Sequence, residues 1–162
     1  MLLRVVVVGA AAAIVAPIVS ANAQTASQIV RFQVNAVNQL AVTGNPSPLV
    51  VNAAAAGSAP AAATSAGTSY AITTNQANQK ITASIDQAMP AGVSLEINLG
   101  APAGASSAGD VSLNMADADV VTGISNTAAT SLPITYRLVA APSAQVAGPA
   151  SRTVTFTIVA GS

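Results

Sequence analysis

The fold is decided first by residues 93–99, whose sequence is VSLEINL. The apolar side chains alternate with polar ones at every position, which is the period of a β-strand that buries one face. Residues 29–36 (IVRFQVNA) and residues 152–159 (RTVTFTIV) have the same alternation, and threonines occupy the polar phase of the latter. Threonine fits the solvated face of a sheet. These three stretches predict a β-rich domain.

Further alternating runs predict the rest of the fold. Residues 69–74 (SYAITT) and 80–86 (KITASID) flank a polar loop, which predicts a β-hairpin. Three more runs follow, at residues 111–115, 120–124 and 132–138. Pro133 is expected on an edge strand or at a strand start, because proline has no amide hydrogen to donate. With no amphipathic helical pattern, about seven to nine short antiparallel strands predict an all-β, immunoglobulin-like β-sandwich.

The first half of the domain is less regular. The apolar phase slips after residue 36, which predicts a bend or bulge near Asn38. Residues 49–51 are expected to form a short strand between loops that are rich in Gly, Pro, Ser and Ala.

Residues 1–23 have the layout of a secretory signal peptide. Arg4 precedes an apolar run over residues 5–19, and residues 21–23 (Ala-Asn-Ala) place small side chains where a signal peptidase cleaves. The run is shorter than the roughly 20 residues of a membrane-spanning helix, so we expect a signal helix that is removed and no stable membrane span afterwards. No cysteine is present to carry a lipid anchor. We expect one domain over residues 24–162 that is secreted, periplasmic or displayed at the cell surface.

The chain carries little charge. Five Lys and Arg residues balance five Asp and Glu residues among 162, giving a formal net charge of zero. Nucleic-acid binding needs a basic surface that displaces counterions from phosphates, and so few cations do not make one. Surfaces near zero net charge tend to associate. The expected partners are therefore further copies of this chain or other envelope proteins, and not nucleic acid.

The residues that most catalytic mechanisms need are missing. The chain has no histidine and no cysteine, which removes the imidazole base, the thiolate nucleophile and the common zinc and copper ligands. Lys80, the single lysine, would lie about 13 Å from Ser84 along a strand, too far for a Ser/Lys pair. Asp86 and Glu96 are interpreted as surface charges on strands. The sequence predicts a protein without enzymatic activity.

Calcium is the one cofactor that the sequence leaves open. Asp110, Asp117 and Asp119 lie close together in the chain, and exported β-domains often bind calcium through aspartates in loops. The alternative is that these aspartates form turns by hydrogen-bonding to their own backbone.

The four aromatic rings are interpreted as core residues. Tyr70, Tyr136, Phe32 and Phe156 all lie in the apolar phase of predicted strands, and tryptophan is absent. A stacking platform for a sugar ring is therefore not expected.

The signal peptide, the alternating segment after it and the last strand, RTVTFTIVAGS, together resemble secreted pilin-like proteins of the spore-coat-U and chaperone–usher kind. The resemblance implies a bacterial envelope protein whose incomplete immunoglobulin-like sandwich is completed by an extended segment of the next subunit. Val30, Phe32, Val34 and Ala36 are the donor-strand candidates in this comparison. The alternative is that residues 24–42 supply the first strand of their own domain.

Two functions follow as hypotheses. The first is a secreted or cell-envelope structural protein, a fibre, coat or adhesive subunit that self-associates. The second is a monomeric extracellular module that binds a ligand or calcium at the loops around residues 110–119.

Overall fold

The computed structural model describes residues 24–162. The predicted signal peptide and its helix, residues 1–23, lie outside the described residues. Contacts within the chain place residues 24–33 in one unit and Val34–Ser162 in another. Every regular element of residues 24–162 is a β-strand, and no helix there could serve as a membrane span. The strands are β1 (Asn38–Thr43), β2 (Ala63–Thr74), β3 (Gln79–Ile85), β4 (Val93–Leu99), β5 (Ser106–Ser107), β6 (Val111–Ser112), β7 (Ala118–Ile124), β8 (Thr127–Ala140) and β9 (Val154–Ala160).

The strands form two antiparallel sheets. The larger sheet has the order β1-β2-β8-β4-β6, and the smaller sheet has the order β5-β7-β3-β9. Neighbouring strands are antiparallel in both sheets. The prediction of an all-β domain of antiparallel strands is confirmed.

One hydrophobic cluster joins the two sheets. Its buried members include Tyr70, Ile72, Leu95, Ile97, Leu99, Ile134 and Tyr136 from the larger sheet and Ile81, Ala83, Ile85, Val120, Val121 and Ile124 from the smaller sheet. Full burial of a Val, Leu or Ile side chain stabilises a fold by about 1.5–3 kcal/mol. The alternation of β4 is reproduced, since Leu95, Ile97 and Leu99 are buried, Ser94 is exposed and the other polar residues of the strand are half-buried.

The hairpin predicted from residues 69–86 is wrong. β2 lies between β1 and β8 in the larger sheet, whereas β3 lies between β7 and β9 in the smaller sheet. The polar loop between them crosses from one sheet to the other. Packed sheets are about 10 Å apart, a distance that four or five extended residues span easily. The alternation of apolar residues therefore specifies which face of a strand is buried, but it does not specify which strands pair with it.

Pro133 lies well inside the central strand β8, so the prediction of an edge strand or a strand start is wrong. β8 lies between β2 and β4, but its register with β4 ends at the pair Leu99 and Ile134. The chain after β4 continues with Gly100, where a Cβ atom would lie 2.7 Å from Pro133 Cδ. The register with β2 is irregular nearby, where Ser131 has a φ of 57°. Proline has no amide hydrogen to donate to a neighbouring strand. β8 tolerates Pro133 because its pairing with β4 ends beside this residue and its pairing with β2 is irregular nearby.

The strand predicted over residues 29–36 is not present. Residues 24–37 contain no strand, and β1 begins at Asn38, where the phase slip predicted a bend. Residues 28–43 contain neither Gly nor Pro, the residues that most favour a tight reversal back onto the sheet. Residues 29–36 therefore do not form a strand of their own domain, whereas residues 38–42 of the predicted N-terminal strand segment, residues 24–42, lie in β1. Residues 49–51 also lie in a loop and form no strand.

Candidate assembly site

The two sheets expose their long free edges on one side. Among the described strands, β1 and β6 are outermost in the larger sheet and β5 and β9 in the smaller sheet. β5 and β6 have two residues each, whereas β1 has six and β9 has seven. β1 and β9 contact each other, so both long edges belong to the same side. A long edge strand presents backbone donors and acceptors that can pair with another chain, and a two-residue strand presents few.

β9 lacks the features by which proteins protect an edge strand. Its sequence, VTFTIVA, contains no charged residue, no proline and no glycine. Its register with β3 is unbroken from Gln79↔Ala160 to Ile85↔Val154. Charged side chains, prolines and bulges are the usual means of preventing a further strand from pairing with an edge. β9 is therefore a suitable template for an added strand.

The apolar face of β9 is only half covered. Val154, Phe156 and Ile158 are half-buried, whereas the three β3 residues directly opposite them are at most 4% exposed. On β1, Val42 lies opposite Tyr70 and is 44% exposed, although Tyr70 is 1% exposed. Residues directly opposite each other share a face of the sheet. The core is thus incompletely covered along the side where β1 and β9 lie, and we call this side its open side.

Residues 24–37 carry a row of exposed apolar side chains, the type of side chain that could cover the apolar face of β9. Val30, Phe32 and Val34 are 73%, 91% and 82% exposed, and Ala36 is exposed as well. These side chains occupy every second position, so they share one face when the chain is extended. The residues between them are polar. The structure thus places all four donor-strand candidates in a solvent-exposed segment outside both sheets.

The aromatic rings divide between the core and this segment. Tyr70 and Tyr136 are buried, and Phe156 packs against the core with part of its surface exposed. Phe32 is exposed, so its predicted position in the core is wrong.

Each candidate calcium ligand has its own surroundings. Asp110 Oδ1 accepts a hydrogen bond of 2.8 Å from Asn98 Nδ2. Asp119 Oδ1 lies 3.0 Å from Lys80 Nζ in an ion pair, and Asp117 is exposed. Across residues 24–162 no three carboxylates come together as a metal-binding group. The calcium site stays a prediction for which the described residues supply no grouped ligands.

Glu96 and Asp86, interpreted from the sequence as surface charges on strands, each bind a group on a neighbouring part of the chain. Glu96 Oε2 lies 2.6 Å from Arg137 Nη1, between directly opposite residues of β4 and β8. Asp86 Oδ1 accepts a hydrogen bond of 2.9 Å from the amide of Thr153. The ion pair of Glu96 with Arg137 is partly exposed, and surface ion pairs contribute about 0.2–1 kcal/mol.

The sequence did not reveal that the loop between β2 and β3 contacts the N-terminal segment. Asn75 in this loop hydrogen-bonds to the backbone of residues 35 and 37, at the base of the exposed segment. An asparagine that follows a strand is usually a turn former, so its type and position give no sign of this role. The one available signal was the density of amide side chains in NQANQ, residues 75–79.

No protein-family model, no curated protein and no solved structure matches this chain. The described fold and site define an all-β protein with two antiparallel sheets, one open side and an exposed apolar segment before its first strand.

Proposed function

We propose that this chain is a non-enzymatic structural protein outside the cytoplasm, a fibre, coat or adhesive subunit built on an immunoglobulin-like β-sandwich. Two antiparallel sheets around one shared core support the sandwich. The signal-peptide pattern of residues 1–23 supports export. The pilin-like resemblance of the sequence supports a subunit of a bacterial envelope assembly. Its partner is another copy of the chain.

Copies join by strand addition in this proposal. Residues 29–36 of one copy pair with the free edge of β9 in the next copy, and Val30, Phe32, Val34 and Ala36 cover the open side of its core. Backbone hydrogen bonds to an edge strand supply affinity, and alternate side chains supply specificity. The observation that carries the proposal is the row of exposed apolar side chains in a segment outside both sheets.

The energetics leave a narrow margin for assembly. Burying each of Val30, Phe32 and Val34 contributes about 1.5–3 kcal/mol. Ordering the backbone costs roughly 1–2 kcal/mol for each residue. Over the eight residues 29–36 the ordering cost is the larger of the two terms, so the new backbone hydrogen bonds, at about 0.5–1.5 kcal/mol each, decide whether assembly is favourable. An assembly that depends on such a margin should require the complete apolar row.

The first test combines sedimentation with limited proteolysis of the mature chain, residues 24–162. We expect oligomers that grow with protein concentration. Trypsin should cleave after Arg31, which is exposed, in dilute monomer and should fail to cleave there in the assembled fraction. A strictly monomeric protein at high concentration, cleaved at Arg31 at one rate throughout, would contradict strand addition.

Matched variants separate the apolar row from the segment as a whole. Phe32→Asp should abolish assembly because a charge would enter the core of the next copy. Arg31→Gln changes the neighbouring residue on the opposite face and should leave assembly intact. A labelled peptide of residues 24–37 should bind the Phe32→Asp protein, whose β9 edge is unoccupied in this scheme. The same peptide with Phe32→Asp should not bind.

A further inference from the structure

The loop after β2 holds the base of the exposed segment with one side chain. Asn75 Oδ1 accepts a hydrogen bond of 2.8 Å from the amide of Val37, and Asn75 Nδ2 donates one of 2.8 Å to the carbonyl of Asn35. The backbone amide of Asn75 also donates to the carbonyl of Val37 at 3.2 Å. A single residue thus makes three hydrogen bonds to two backbone positions.

The two side-chain bonds have the pattern of a strand pairing. In parallel pairing, one residue uses its amide and carbonyl to bond the residues on either side of its neighbour. The carboxamide of Asn75 offers one donor group and one acceptor. It bonds the carbonyl of Asn35 and the amide of Val37, which flank Ala36. The backbone on both sides of Ala36 is therefore held by one side chain.

The loop that carries Asn75 is itself fastened to two other parts of the domain. The carbonyl of Gln76 accepts a bond of 3.0 Å from the amide of Asn126, in the turn between β7 and β8. The carbonyl of Asn78 accepts a bond of 2.6 Å from the amide of Gly161, just after β9. A Cβ atom at Gly161 would lie 2.8 Å from that same carbonyl oxygen, so a larger residue would displace the loop. The base of the segment and the end of β9 are thereby tied to one loop.

We infer that Asn75 is a positioning residue that sets the direction in which the N-terminal segment leaves the domain. The inference rests on the proposed function for its biological consequence. If residues 29–36 are a donor strand, Asn75 holds the backbone of residues 35–37 in the same way in every copy. A connection that is the same in every copy makes the junctions of the assembly regular.

The test measures the monomer first, so that it does not depend on assembly. Loss of both side-chain bonds in Asn75→Ala should speed hydrogen exchange at the Val37 amide by about tenfold, the effect of one hydrogen bond of ordinary strength. Asn75→Asp keeps the acceptor for Val37 and loses the donor for Asn35, so its exchange should stay close to that of the parent chain. Asn114→Ala is the matched control, because Asn114 is an exposed turn residue whose Oδ1 accepts from the amide of Ala116.

A distance measurement distinguishes positioning from simple local stability. The chain has no cysteine, so spin labels at Ala36→Cys and Ser94→Cys report one distance without background. The distance distribution should be narrow in the parent chain and in Asn114→Ala and broad in Asn75→Ala, at an unchanged unfolding temperature. An unchanged distribution together with unchanged exchange at Val37 would overturn the inference.

Assembly of the same variants separates this inference from the proposed function. Asn75→Ala should still bind the peptide of residues 24–37 at its intact β9 edge, while its own assemblies should lose the regular repeat seen by electron microscopy. A parent chain that never assembles would refute the proposed function and leave the monomer result standing. Regular assemblies from Asn75→Ala would refute the role of Asn75 in setting the repeat.

Discussion

Tyr70 connects a buried strand to the turn that follows β4. Its hydroxyl donates a hydrogen bond of 2.6 Å to the carbonyl of Gly100, and the residue is 1% exposed. Burial raises the pKa of Tyr70 from 10.0 to about 12 and also raises the pKa of Tyr136. The folded protein therefore keeps these phenol protons at pH values where the unfolded chain has lost them. The contribution of Tyr70 to stability is therefore complete below pH 10, the pKa of the unfolded chain. It is lost as the pH rises through about 12, the pKa of Tyr70 in the folded protein.

We expect the free energy of unfolding to fall as the pH rises from about 10 towards about 12, with a share of about 3 kcal/mol from Tyr70. Tyr70→Phe should show a smaller fall, because only Tyr136 still titrates in the core. Near neutral pH the same variant should be about 1–2 kcal/mol less stable, since the Gly100 carbonyl loses its donor. Urea unfolding near pH 7 and near pH 11 measures both effects. An equally steep alkaline loss in the variant would show that Tyr70 is not its source.

At the scale of elements, periodicity predicted the strands better than their arrangement. β4 has the bounds and the buried face that residues 93–99 predicted, because alternation reports directly on which side chains leave water. The pairing of β2 with β8, and of β3 with β9, joins residues far apart in sequence, and no local pattern encodes it. The same limit applies to the site. Val30, Phe32, Val34 and Ala36 could be selected by alternation, whereas β9 as a free edge depends on the order of strands in the sheet.

The β9 edge makes a prediction that charge can test. Thr157 is exposed on β9, and the polar face of the donor segment carries Arg31. Thr157→Lys should weaken binding of the peptide of residues 24–37 several-fold, since lysine on an edge opposes pairing and repels Arg31. Thr157→Glu should bind the peptide more tightly than Thr157→Lys does. Fluorescence titration with the labelled peptide provides the affinities.

Thr73→Lys is the matched control for this experiment. Thr73 is also exposed, but it lies on β2, which has a neighbour on each side. Its substitution should leave peptide affinity unchanged. Equal effects at Thr73 and Thr157, or identical affinities for the Lys and Glu variants, would exclude the β9 edge as the acceptor.

For the molecule as a whole, the small number of charges determines how it should respond to ions. The chain has five cationic and five anionic side chains, and two of the ion pairs among them, Lys80 with Asp119 and Arg137 with Glu96, are local cross-strand pairs. The open side of the core and the donor row are apolar. Assembly should therefore be driven by burial of apolar surface and backbone pairing, with little contribution from long-range electrostatics.

A panel of salts tests this balance in one experiment. Raising sodium chloride from about 0.05 to about 0.5 M should change the assembly constant little, because screening acts on charge–charge attraction. Sodium sulfate should strengthen assembly, since excluded salts favour apolar burial. Millimolar calcium chloride should act like sodium chloride at equal ionic strength and should not raise the unfolding temperature, with or without Asp117→Ala. A calcium-specific rise that Asp117→Ala and Asp119→Ala remove, in a chain that stays monomeric, would instead establish the calcium-binding module and exclude the self-assembling subunit.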